Sequence, residues 1–158
     1  MEFGKEAEKR IKAWLNRPWD GYSLDRLPDQ MTGFYMVSRN VCDFVCYKYP
    51  YMYYIESKST EHDRFDFSQL SDTQRDGLWK KSQIAGCYGL VIVLFVYYKR
   101  AFIINIKDIT NDTDSQLTKK SINIKHIDKW GIPYWEIQTI PSKKQLLDYT
   151  GDLPDFES

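Results

Sequence analysis

Two carboxylates and a lysine stand in a stretch of chain that has no structural use for them. Residues 41–59, VCDFVCYKYPYMYYIESKS, are rich in β-branched and aromatic residues and read as two adjacent β-strands that turn at Tyr49, Pro50 and Tyr51. Pro50 cannot donate to a ladder and so belongs in the turn. Asp43 falls on the first strand, while Glu56 and Lys58, two residues apart on the second, share one face. Carboxylates converging on one sheet face repel each other unless a cation lies between them, and hard oxygen ligands suit Mg²⁺ or Mn²⁺. A lysine beside such a cation could hold a water or the charge of a developing phosphorane, which is the layout of metal-assisted phosphodiester hydrolysis. Taken alone, the three residues could equally be charges on a solvated strand face.

The neighbouring motifs carry a family resemblance. Gly4 and Glu8 in GKEAEKRI, Arg39 and Asp43 in SRNVCDF, Glu56-Ser57-Lys58, and Gln74 in LSDTQRDGL follow the order and spacing of the PD-(D/E)xK nuclease superfamily over roughly the first 110 residues. Within it the chain resembles the RecU-like Holliday junction resolvases, phage-borne relatives included. Two departures stand out: no proline precedes Asp43, and no long basic stalk is inserted between the early strands. The resemblance implies an α/β, restriction-endonuclease-like fold with a mixed central sheet flanked by helices. It also implies a metal-dependent endodeoxyribonuclease that resolves branched DNA in recombination and repair, leaving 5′-phosphate and 3′-hydroxyl ends.

The same resemblance assigns roles. Asp43, Glu56 and the backbone carbonyl of Ser57 would bind Mg²⁺, with Mn²⁺ as a substitute, and Glu8 would complete the shell, through water or directly. Lys58 would hold the attacking water and Gln74 would orient the site, making Asp43, Glu56, Lys58, Glu8 and Gln74 the catalytic set. Arg39, Arg26, Lys80 and Lys81 are the candidate DNA contacts. The expected partners are four-way junctions and a second copy of the chain, because a symmetric junction presents paired strands to a two-fold dimer. The expected location is the cytoplasm of a bacterium or a phage-infected host. Two other readings remain open: a nuclease of the same superfamily acting on unbranched DNA, and a non-catalytic DNA- or protein-binding factor on the same fold.

Residue by residue, local alternatives also stand. Glu8 lies at the edge of the stripe formed by Ala7, Ile11, Trp14 and Leu15 in a helix over residues 4–15, where it could instead pair with Lys12. Arg39 could bind a phosphate or sit in an exposed turn. Gln74 is four residues from both Leu70 and Leu78, so its amide falls on a buried stripe and needs partners. His62, with no partner in spacing, reads as a surface residue.

The whole chain bounds these readings. Its 158 residues, 42% hydrophobic, suffice for one domain with its own core: a nuclease core to about residue 110, an extension over 111–150 and a tail at 151–158. Lys plus Arg and Asp plus Glu both number 22, so any DNA-binding surface must be local. Cys42, Cys46 and Cys87 lack metal-site spacing and read as reduced core thiols, the first two on one strand face. The charged start MEFGKEAEKR does not read as a signal peptide, and the longest apolar run, at 90–98, is too short to span a membrane.

Local pattern predicts the remaining elements. Residues 19–32 read as a turn-rich loop holding Arg26, 34–37 as the first strand, and 59–67 as a polar loop. Ser68 or Ser71 caps a helix ending near Gly86. The run LVIVLFVYY reads as a strand apolar on both faces, with an antiparallel partner at 101–106. A helix over 123–130 and a strand over 134–140 complete the reading.

Overall fold

The computed structural model describes residues 8, 9, 12, 22–27 and 40–137. Its centre is a six-stranded sheet in the order β1 (Tyr22–Arg26), β2 (Phe44–Lys48), β3 (Tyr51–Thr60), β5 (Cys87–Phe95), β6 (Arg100–Asn105) and β8 (Trp135–Ile137). A second, two-stranded sheet pairs β4 (Arg64–Asp66) with β7 (Ser121–Asn123). Within the main sheet β3 and β5 run parallel and every other pair is antiparallel. A parallel pair needs a crossover. Here it passes through β4 and helix α1 (Asp72–Ser82).

β5 explains why the sheet sits at the middle of the molecule. Leu90, Ile92 and Leu94 project into one core with Phe44, Ile55 and Ile103, while Val91, Val93 and Phe95 project into a second with Leu78, Phe102 and Ile104. All these side chains are buried. Period-two alternation of a continuous apolar run therefore fills both faces, as expected for a strand covered on each side. Burying each such side chain contributes about 1.5–3 kcal/mol before entropy is counted.

α1 forms where its caps dictate. The Ser71 hydroxyl accepts from the Gln74 backbone N–H at 3.1 Å, and the Gln74 side chain accepts from the Ser71 N–H at 3.0 Å. This capping box satisfies two orphan donors, and Asp72 in the first turn with Lys80 and Lys81 in the last suits the helix dipole. Two glycines let α1 settle onto the sheet. A Cβ at Gly77 would fall 2.2 Å from Val41 Cγ1, and one at Gly89 would fall 2.5 Å from the Leu78 carbonyl oxygen.

Several local expectations give way to long-range pairing. The first described strand is β1, inside the stretch read as a loop, because Tyr22–Arg26 pairs along its whole length with β2 and Leu24 packs on the Phe44 core. The 34–37 strand and the tail lie outside the described residues. The 59–67 segment is not a loop: β3 continues to Thr60, and β4 pairs with β7 while Phe65 and Phe67 enter the core. Residues 96–98 leave β5 as a 3₁₀ turn, and 124–129 is 3₁₀ with a kink at His126. The last strand of the main sheet comes from beyond residue 110. Cys42 and Cys46 belong to different cores, because regular alternation starts only at Phe44. Among the described residues no helix is long and apolar enough to cross a membrane.

The close approach of α1 gives a stability test. In a helix interior, Gly77→Ala would gain about 0.5–1 kcal/mol of backbone entropy. The overlap with Val41 should cost roughly 1–3 kcal/mol and win. Urea denaturation should show Gly77→Ala destabilised, and adding Val41→Ala should recover part of that loss. A variant as stable as wild type would show that α1 has room to spare.

Candidate active site

Strand register brings the carboxylates together. Phe44 pairs with Ile55 at the end of the β2–β3 ladder, and Asp43 and Glu56 lie just beyond that last pair. Asp43 stands at a bend one residue before β2, where the ladder breaks: its N–H donates at 3.1 Å to the Ile55 carbonyl, already opposite Phe44, while its carbonyl accepts from the Leu27 N–H at 2.8 Å. Its Oδ2 then accepts from the Ser57 N–H at 3.0 Å, one step past the end of β2. In an extended strand a residue's N–H and carbonyl point to the same side. The Ser57 carbonyl is therefore aimed toward the Asp43 side of β3.

Glu56 is 3% exposed and held from two directions. Gln74 Nε2 donates to its Oε1 at 3.0 Å, and Lys58 Nζ lies 3.5 Å from the same oxygen. Gln74 thus closes the cap of α1 with its amide oxygen and fixes Glu56 with its amide nitrogen. Burial, and then the charge of Asp43, push the Glu56 carboxyl up to about 8, against the pull of Lys58. Burial first, with the nearby Glu56 and Asp43 charges, also raises the Cys42 thiol to about 12, so Cys42 stays an inert core thiol.

Arg26 closes β1 beside Phe44 and so reaches the site from the neighbouring strand. Its guanidinium meets both oxygens of Glu8 at 3.0–3.2 Å and approaches Asp43 Oδ1 at 4.0 Å. Glu8, in a helical stretch, is thereby placed near Asp43 through an arginine between them. The structure brings Glu8, Arg26, Asp43, Glu56, Lys58 and Gln74 together. Lys80 and Lys81 stand on the last turn of α1, Lys80 paired with Asp76 at 2.9 Å and Lys81 5.0 Å over the Tyr54 ring. Arg39 lies outside the described residues.

Among the described residues no three Asp, Glu, His or Cys side chains are grouped to hold a metal ion by themselves. The donors that converge are the Asp43 and Glu56 carboxylates and the Ser57 carbonyl. All are hard oxygens, and the Asp43 charge adds to burial in holding back the ionisation of Glu56. The set fits a hard divalent cation. Sequence reasoning placed Arg26 among DNA contacts and missed its engagement with Glu8 and Asp43. No local signal could have found it, since the contact depends on the β1–β2 pairing.

A family model described as Recombination protein U matches residues 16–151. The chain belongs to the RecU family. No curated protein matches it. Among solved structures the chain is similar to Hjc of Archaeoglobus fulgidus, described as a Holliday junction resolvase from an archaeal hyperthermophile. The TM-score is 0.53 at 16% identity, covering 80% of this chain and 93% of that one. That likeness shows the fold, a mixed α/β sheet of the resolvase nuclease kind. RecU membership brings with it a divalent-metal-dependent nuclease acting on branched DNA in recombination, in agreement with the carboxylate pair.

The Glu56 environment sets a pH dependence. In the folded chain the carboxyl holds its proton up to about 8, whereas the unfolded chain releases it near the ordinary value of 4.5. Its contribution to stability is therefore greatest in acid and is lost as pH rises between those values. In chelating buffer the melting temperature should fall across that window, and Glu56→Gln should flatten the fall. An unchanged profile in Glu56→Gln would assign the titration elsewhere.

Proposed function

We propose that this RecU-family chain is a Mg²⁺-dependent endonuclease that resolves four-way DNA junctions as a homodimer. The observation that carries the reading is the approach of the Asp43 and Glu56 carboxyls at the end of the β2–β3 ladder, with Lys58 against Glu56 and the Ser57 N–H on Asp43. Asp43, Glu56 and the Ser57 carbonyl would hold the cation, with Mn²⁺ as its natural substitute. When bound, it would offset the paired negative charges and polarise the scissile phosphate and its attacking water.

The remaining work falls to this chain's own side chains. Gln74 keeps Glu56 in one orientation by a hydrogen bond to Oε1, and the capping box keeps Gln74 in place. Lys58, 22% exposed, can orient a water with its ammonium and offset charge on the equatorial phosphate oxygens. Water adds to phosphorus while the bond to O3′ breaks, leaving a 5′-phosphate and a 3′-hydroxyl. Arg26 restrains Glu8 and Asp43 and carries positive charge to the edge of the site. Glu8 acts through Arg26 or through water.

RecU-family membership supports a branched substrate, and the symmetry of the reaction supports a pair of subunits. The described site of one chain can cut one strand, whereas resolution cuts two strands related by symmetry. Such branched DNA is met in the cytoplasm of a bacterium or a phage-infected host.

The test is cleavage of a four-way junction, a linear duplex and a single strand, with and without Mg²⁺. Wild type should cut the junction in preference. Asp43→Asn, which keeps shape and removes a ligand charge, should abolish cleavage while preserving junction binding in Ca²⁺. Lys58→Met should lower turnover by roughly 100- to 1000-fold with little change in metal affinity. Equal cutting of duplex and junction would reduce the reading to a general nuclease, and cutting by Asp43→Asn would end it.

A further inference from the structure

Four large apolar side chains stand exposed among the described residues: Tyr49, Ile84, Tyr97 and Tyr98. Tyr49 and Ile84 lie where β3 and β5 begin, far from the carboxylates along both strands. Tyr97 and Tyr98 lie where the same strands end. Lys58 pairs with Val93 and Thr60 with Phe95, so the 3₁₀ turn Val96–Tyr98 starts three residues beyond the level of the site's lysine. At about 3.3 Å per residue, Glu56 and the end of β3 are about 13 Å apart. That span corresponds to about four base steps along a duplex.

The turn is held, and two of its rings are exposed. The Tyr98 hydroxyl donates to Asp63 Oδ1, and Lys125 Nζ lies 3.0 Å from Asp63 Oδ2. One carboxylate therefore ties the exit of β5 to the turn after β3 and to the segment after β7. The turn after β3 is fixed in addition by Thr60 Oγ1, which accepts from the His62 N–H at 3.1 Å. Lys99, at φ 53°, reverses the chain immediately after the tyrosines. Tyr98 remains 39% exposed and Tyr97 68% exposed. Two exposed amphipathic rings in a held turn are thus presented beyond the Lys58 end of the site, at little cost in side-chain entropy on binding.

A continuous duplex gives such rings nothing to stack on, because each base face is covered by its neighbour. In the open, unstacked form of a four-way junction, which a bound protein can hold, the bordering base pairs lose a stacking neighbour and present an open π-face. Base–aromatic stacking tolerates any sequence and is strong enough to select that feature. We propose that Tyr97 and Tyr98 form a stacking platform for the bases bordering the branch point, so that the exposed base face, more than overall charge, selects the junction. This rests on the junction-cutting function above and deepens it.

The experiment measures binding in Ca²⁺ to a four-way junction carrying 2-aminopurine beside the branch point and to a linear duplex of equal length. Tyr97→Ala and Tyr98→Ala should each weaken junction binding roughly tenfold or more, leave duplex binding within about twofold, and restore 2-aminopurine fluorescence. Tyr97→Trp should recover affinity, and Tyr98→Phe, which keeps the ring and loses the Asp63 tie, should lose less than Tyr98→Ala. Junction affinity unchanged in Tyr97→Ala, while wild type still prefers the junction, would overturn the platform and leave the resolvase reading intact. Equal losses on junction and duplex would overturn it too, as would a shift of Tyr97→Ala to a smaller species in sedimentation, the sign of a contact between copies. A wild type with no junction preference would overturn the platform and the function together.

Discussion

Two carboxylates brought together where β2 begins against β3, one of them almost dry, are the constraint around which the other groups are arranged. Burying a carboxylate is expensive unless it is paired or hydrogen-bonded, and burying it beside another raises that cost. Glu56 meets it with a donor from α1 and an ammonium from its own strand, while Asp43 takes the Ser57 N–H and faces Arg26. These donors come from three separate elements. None of the elements can shift without exposing or stranding a charge, so the site acts as a registration pin for β1, β3 and α1.

Rigidity in the sheet makes that pin effective. β5 fills both cores and holds β3 in parallel register over nine residue pairs, so Glu56 and Lys58 cannot slide relative to the molecule. α1 is tied to the same frame by shape as well as by hydrogen bonds. Gly77 and Gly89 bring helix and sheet into contact closer than any side chain would allow, which sets the reach of Gln74 to Glu56. Helix capping and site geometry therefore share one residue. A change at Ser71, which touches neither carboxylate, bears on Glu56 through Gln74.

What was legible in the sequence divides along the range of the interactions. The β2–β3 hairpin, the two-faced β5 strand, its antiparallel partner and a serine cap at Ser68 or Ser71 are written in local pattern, and each is observed, the cap at Ser71. The mixed α/β sheet followed from them. β1 was hidden because YSLDR alternates weakly and forms a strand only against β2. β4 was hidden because STEHDRFDF is polar in composition, yet Phe65 and Phe67 anchor it and its partner β7 lies more than fifty residues further on. The convergence of Asp43, Glu56 and Lys58 was readable from hairpin register. The Arg26 contact with Glu8 was not, since it joins a strand that forms only against β2 to a residue 18 positions earlier in the chain.

The surface charges decide how such a site could find its substrate. Lys80, Arg64, Arg100 and Lys125 each stand beside a carboxylate, Asp76, Asp66, Glu136 and Asp63 respectively. Exposed pairs of this kind are worth about 0–1 kcal/mol, so a cation that exchanges its carboxylate for a phosphate loses little. It also gains little beyond what the released carboxylate then costs near the DNA backbone. A surface balanced in this way gives weak, strongly salt-screened attraction to any duplex. Discrimination must then come from features that duplex lacks: the geometry that brings a scissile phosphate to Asp43 and Glu56, and the base faces that a branch leaves open.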